Sequence, residues 1–157
     1  MLRRFLKIGV ASMLIVASTP LTASAHSSEF EADMDPGQEA VTPAVVSDGE
    51  GEAEFTLKRD KIRFHVEWDD LTTGAVASHI HCAPAGSNGP VGVTLLSEPK
   101  GTDGKVKGSF TGPDAGNTCG WTTLNDVIVA MATGNAYVNI HTPTYPAGEI
   151  RGQIEID

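Results

Sequence analysis

Two histidines one residue apart, His79 and His81, are the strongest chemical signal in the chain. On an extended strand, side chains at i and i+2 project from one face, so both imidazoles can reach one ion. A third histidine, His141, sits in another alternating segment. There Tyr137 and Asn139 share its face, while Val138 and Ile140 face the other way. Three imidazole nitrogens from two neighbouring strands suit copper or zinc. For such a site the ring nitrogens are expected within about 4 Å of one another, since each must reach a common ion at roughly 2 Å. A hairpin over 136–156 would bring Glu149 beside His141, where a carboxylate orients a metal-bound imidazole from behind. The competing reading keeps all three histidines structural, hydrogen-bonded to backbone near strand ends.

The remaining polar residues carry less. His65 lies between Arg63 and Glu67 on the outward face of a strand and reads as solvated. Glu50, Glu52 and Glu54 alternate on one outward face, a pattern that discourages edge pairing. Asp69 and Asp70 are adjacent, and neighbours on a strand point in opposite directions, so they make a poor acid–base pair. Ser78 faces away from His79. No nucleophile elbow, phosphate loop or dinucleotide fingerprint occurs, and no catalytic set emerges.

The elements that would position these histidines read as strands nearly throughout. Period-two alternation marks 29–34, 51–57 and 62–68; the last two form a hairpin closed by a polar turn over 58–61. Further strands are expected at 76–82, 91–96, 105–111, 136–141 and 149–156. Gly, Pro, Asn and Asp punctuate the gaps. One helix is expected over 124–132, where Leu124, Val127, Ile128 and Met131 recur at helical spacing, with Thr122 or Thr123 as its cap. Residues 36–51 read as a loop lying across a sheet edge. Short, evenly spaced strands with one short helix point to an all-β, antiparallel Greek-key or immunoglobulin-like sandwich. Phe55, Leu57, Ile62, Phe64, Val66, Val138, Ile140, Ile150 and Ile154 are its expected core, with Trp68 at a strand end.

The first 25 residues read as a cleavable secretory signal. Arg3, Arg4 and Lys7 precede an apolar run over 8–17, and Ala23-Ser24-Ala25 supplies the small-x-small cleavage pattern. The apolar run is short for a membrane span. Cleavage would leave one domain over 26–157, starting at His26, whose free amine and imidazole could together chelate copper, with a flexible terminus as the stronger reading. Removing Arg3, Arg4 and Lys7 from the 11 basic residues leaves 8 against 20 acidic ones, a net charge near −12. Such a surface repels phosphate backbones and anionic lipid, which argues against nucleic-acid and membrane partners. Protein or cationic partners, metal ions among them, stay open. For two cysteines in an exported chain, Cys82 and Cys119, a disulfide is the default; the alternative is a metal-binding thiolate at Cys82, directly after His81.

From about Phe30 to Ile156 the sequence resembles the CHRD domain, the module named for chordin and found in many exported bacterial proteins. The residues carrying the likeness are His79-Ile80-His81, the loop over 86–90, Tyr137-Val138-Asn139-Ile140-His141-Thr142 and Gly148-Glu149-Ile150-Arg151-Gly152. Cys82 stands where glycine is common, which fits a local disulfide to Cys119. The resemblance implies an immunoglobulin-like or Greek-key sandwich of extracellular habit with no established catalysis, and the signal segment makes the protein secreted or periplasmic. The His-x-His strand is also similar to the copper-binding strand of Cu/Zn superoxide dismutases. A dismutase needs a bridging histidine and zinc ligands between those strands, and residues 84–134 contain no histidine. Three readings follow in order: a non-enzymatic binding or structural module, a copper- or zinc-binding protein using His79, His81 and His141, and a redox metalloenzyme.

Overall fold

The computed structural model describes residues 29–157; the expected signal segment and His26 lie outside them. Among the described residues nine strands and one α-helix follow in order: β1 (Glu29–Met34), β2 (Glu50–Lys58), β3 (Lys61–Asp69), β4 (Ala77–His81), β5 (Val91–Leu96), β6 (Gly104–Phe110), α1 (Leu124–Ala132), β7 (Tyr137–His141), β8 (Ile150–Gln153) and β9 (Glu155–Ile156). They form two antiparallel sheets, one in the order β6-β3-β2-β1-β9 and one in the order β5-β4-β7-β8. The all-β sandwich expected from the alternation is the fold observed.

Alternation puts one face of each sheet into a shared core. Phe30, Ala32, Met34, Ala53, Phe55, Ile62, Val66 and Trp68 from the first sheet meet Ile80, Val93, Val138, Ile140 and Ile150 from the second. Leu57 and Phe64, expected inside, are only partly buried and pack against the core's margin. Trp68 is fully buried, and its indole Nε1 donates to the Gly101 carbonyl at 3.2 Å. Helix α1 closes the side of the core through Val127, Ala130 and Met131. Thr123 caps it: its hydroxyl accepts from Asp126 N, and the Asp126 carboxylate accepts in return from Thr123 N.

The expected strand over 149–156 is in fact two. β8 pairs with β7, after which the chain crosses at the buried Ile154, and β9 pairs with β1 in the other sheet. Gly152 makes the approach between sheets possible, since a Cβ there would stand 2.5 Å from the Asp33 carbonyl oxygen. Asp35 and Arg151 exchange backbone hydrogen bonds at 3.1 and 3.2 Å, tying the end of β1 to β8.

The loop after β1 does more than skirt an edge. Asp35 caps a 3-10 turn over Pro36–Gln38. Beyond it the chain is tied to the loops of the second sheet. Ala40 O accepts from Asn88 Nδ2 at 2.8 Å, and Val46 O accepts from the Tyr145 hydroxyl at 2.7 Å. Cys82 and Cys119 are disulfide-bonded, with Cα atoms 5.8 Å apart, fastening the end of β4 to the segment before α1. No helix among the described residues is long and apolar enough to cross a membrane.

Candidate metal centre

The register of β4 on β7 decides what the histidines can do. His79 lies opposite Asn139, His81 opposite Tyr137 and Ala77 opposite His141, so all three imidazoles rise from the face turned away from the core. Their rings converge, with centroids 4.9 Å apart for His79 and His141 and 5.8 Å for His81 and His141. His79 Nδ1 is 3.0 Å from His141 Nε2. One ring nitrogen from each histidine lies within 4.8 Å of the others, somewhat wider than the expected 4 Å.

Backbone carbonyls fix the tautomers. His81 Nδ1 donates to Gly89 O at 2.9 Å, and His141 Nδ1 donates to Pro146 O at 3.0 Å. A carbonyl only accepts, so each ring carries its proton on Nδ1 and presents a bare Nε2. His141 Nε2 therefore accepts from His79 Nδ1, while His81 Nε2 is buried without a partner.

Burial keeps all three rings neutral. It pushes the His79 imidazolium down to about 4, helped by His141 and His81 and opposed by Asp114. His81 is likewise lowered by burial, opposed by the Gly89 carbonyl that accepts from its Nδ1 and by the nearby Asn139 side chain. His141 is lowered by burial despite its bond to Pro146. Neutral imidazole is the form that binds metal, and binding here would displace the proton His79 Nδ1 shares with His141 Nε2.

Around the triad lies a buried polar layer. The Tyr137 ring stacks on His81 at 4.8 Å and 4° between planes, and Arg151 reaches the same ring from β8, its Cζ 3.4 Å from the centroid. Arg151 also donates to Pro84 O at 3.2 Å. Glu39, from the loop after β1, is pushed up to about 7 by burial, against the pull of Arg151 and a hydrogen bond from Asn139. Tyr137 and Asn139 were legible as companions of His141 on one face. Nothing in residues 36–51 announced that Glu39 would reach them.

Glu149 is a correction. Its carboxylate does not orient His141, whose Nδ1 is already met by Pro146. Glu149 is fully buried and accepts from Ser47 Oγ at 2.6 Å, Thr72 N at 2.6 Å, Thr72 Oγ1 at 2.8 Å and Thr142 Oγ1 at 2.7 Å. A buried carboxylate is stabilised by as many donors as it can collect, and four outcompete one imidazole. His65, expected to be solvated, is half-buried between Glu54 and Glu67, its ring nitrogens 3.6 and 3.4 Å from their carboxylates.

The paired histidine strands, the loop at Gly89 and the β7–β8 hairpin all fall within one match to a family model, the CHRD domain, over residues 30–154. The chain belongs to the CHRD family. No curated protein and no solved structure shows a significant match to it. The match to the CHRD model spans both sheets, so the histidine strands β4 and β7 are part of the domain's framework and not an appendage to it.

Proposed function

We propose that this CHRD domain is an exported, non-enzymatic binding module whose ligand is a copper or zinc ion held by His79, His81 and His141. One observation carries the reading: three neutral imidazoles converge, with one ring nitrogen of each within 4.8 Å of the others. Two of those rings are locked by carbonyls in the tautomer that leaves Nε2 bare. Structural histidines buried in this number would be expected to find partners for both nitrogens, and His81 Nε2 has none. A shift of roughly 1 Å in the widest ring would bring the donors to the spacing of ligands about 2 Å from one ion.

Export is supported by the charged, apolar and small-x-small order of residues 1–25, and by a disulfide, which persists in oxidising compartments. Elemental analysis of the protein prepared without a histidine tag tests the function. About one copper or zinc ion per chain is expected, and it should be lost from a His79→Ala variant. Metal-free protein that takes up neither ion on addition would refute it.

A further inference from the structure

Resting on the trihistidine reading, we propose that Asn139 supplies a fourth donor, its side-chain oxygen, making a three-nitrogen, one-oxygen site for a divalent ion such as Zn(II), Co(II) or Cu(II). Asn139 is 1% exposed, stands opposite His79 in the ladder and lies two residues before His141. The rings of His81 and His141 come together at 5.8 Å although their ladder positions lie on either side of the His79–Asn139 pair. The two rings thus approach across the position that His79 and Asn139 share.

The amide has a definite direction. A Cβ on Gly148 would stand 2.7 Å from Asn139 Nδ2 and collide with Glu39 Oε1, so the amide nitrogen faces Gly148 and the Glu39 carboxylate. The Asn139 amide nitrogen lies beside the Glu39 carboxylate, whose Oε1 is itself buried without a hydrogen-bond partner, and the Asn139 side chain also lies close to His81. Reversing the amide would set its oxygen against the carboxylate of Glu39. In the observed direction Oδ1 is buried without a donor. His81, 7% exposed, faces it with a second unpartnered acceptor, because its only proton is committed to Gly89 O. Two buried lone-pair atoms from one site repel each other, and a cation between them converts both into ligands. An amide oxygen beside three imidazoles favours borderline divalent ions over Cu(I), which prefers softer donors.

Co(II) and Zn(II) themselves are the probes. Titration of the wild type with Co(II) should give one ion per chain and the intense visible absorption of a four-coordinate site. Asn139→Asp, which keeps an oxygen donor, should retain that spectrum. Asn139→Leu should weaken binding by tenfold or more, with an altered spectrum. Should the leucine variant fail to fold, the wild type still decides: the Asn139 side-chain carbonyl carbon should shift in NMR spectra on adding Zn(II). An unmoved carbonyl carbon in a protein whose histidine signals do shift overturns the fourth donor and leaves the triad intact. So does an Asn139→Leu variant with wild-type affinity and spectrum. A wild type that takes up neither ion overturns the triad and this inference together.

Discussion

Glu39 and Glu149 show how strongly local donors decide what a buried carboxyl does. Burial alone raises both, but the hydroxyls of Ser47, Thr142 and Thr72 and the Thr72 amide hold Glu149 below its ordinary value, while Glu39 rises to about 7. Glu149→Ala should cost about 3 kcal/mol, the scale of lost charge-assisted hydrogen bonds and an orphaned backbone donor, read by urea denaturation. The stability Glu149 contributes is present above the unfolded carboxylate range and lost as pH falls through its lowered value. The histidines and Glu39 give opposite signatures in metal-free protein. His79, lowered to about 4, leaves the native state refusing a proton that the unfolded chain accepts below about 6.5. A His79→Gln variant should therefore gain on wild type as pH falls from 6.5 towards 4. Glu39→Gln should instead gain as pH rises from about 4.5 to about 7, where the unfolded carboxyl ionises and the buried one does not. Parallel pH–stability curves for all three proteins would contradict these assignments. At this scale the sequence disclosed His79, His81 and His141, because i and i+2 share a strand face. Asn139 and Arg151 were not separable by type from ordinary polar residues, since their burial depends on a loop 100 residues away.

At the scale of elements, alternation was enough to place the strands. The helix bounds and β5 agree with expectation because apolar spacing and caps are local. The division of 149–156 was not local: it depends on Gly152 meeting the Asp33 backbone, a contact between sheets that no period reveals. Glycine in β5 shows a similar long-range constraint. The Trp121 ring lies across Gly92, only 2.1 Å from where a Cβ would be. Gly92→Val should expel that indole, cost about 1–3 kcal/mol in overpacking and shift tryptophan emission to the red. Unchanged emission and stability would mean that Trp121 does not pack on β5. The segment after Pro36 was readable as a loop from its composition. Its covering role was not, because loops carry no periodicity to show which surface they cross.

The whole molecule presents two unlike outer faces. On the first sheet, Glu31 lies opposite Glu54, Asp33 opposite Glu52, and Glu52 opposite Glu67, a like-charged ladder suited to solubility and to discouraging association. On the second sheet the outer face is a buried polar layer roofed by loops, and among the described residues it is there that histidine nitrogens converge. The expected signal segment adds a separate test: intact mass of the exported protein should correspond to a chain starting at His26, and a retained leader would contradict export by cleavage. Family membership accounts for the framework, and the metal centre is the claim that gives this member of the family a chemistry. Calorimetric titration of Cu(II) and Zn(II) into wild type and a His81→Ala variant tests it most directly. One ion per chain, bound with submicromolar affinity by the wild type and lost in the variant, is the expected result. Equal binding by both proteins, or none by either, would contradict the site and leave the three histidines structural.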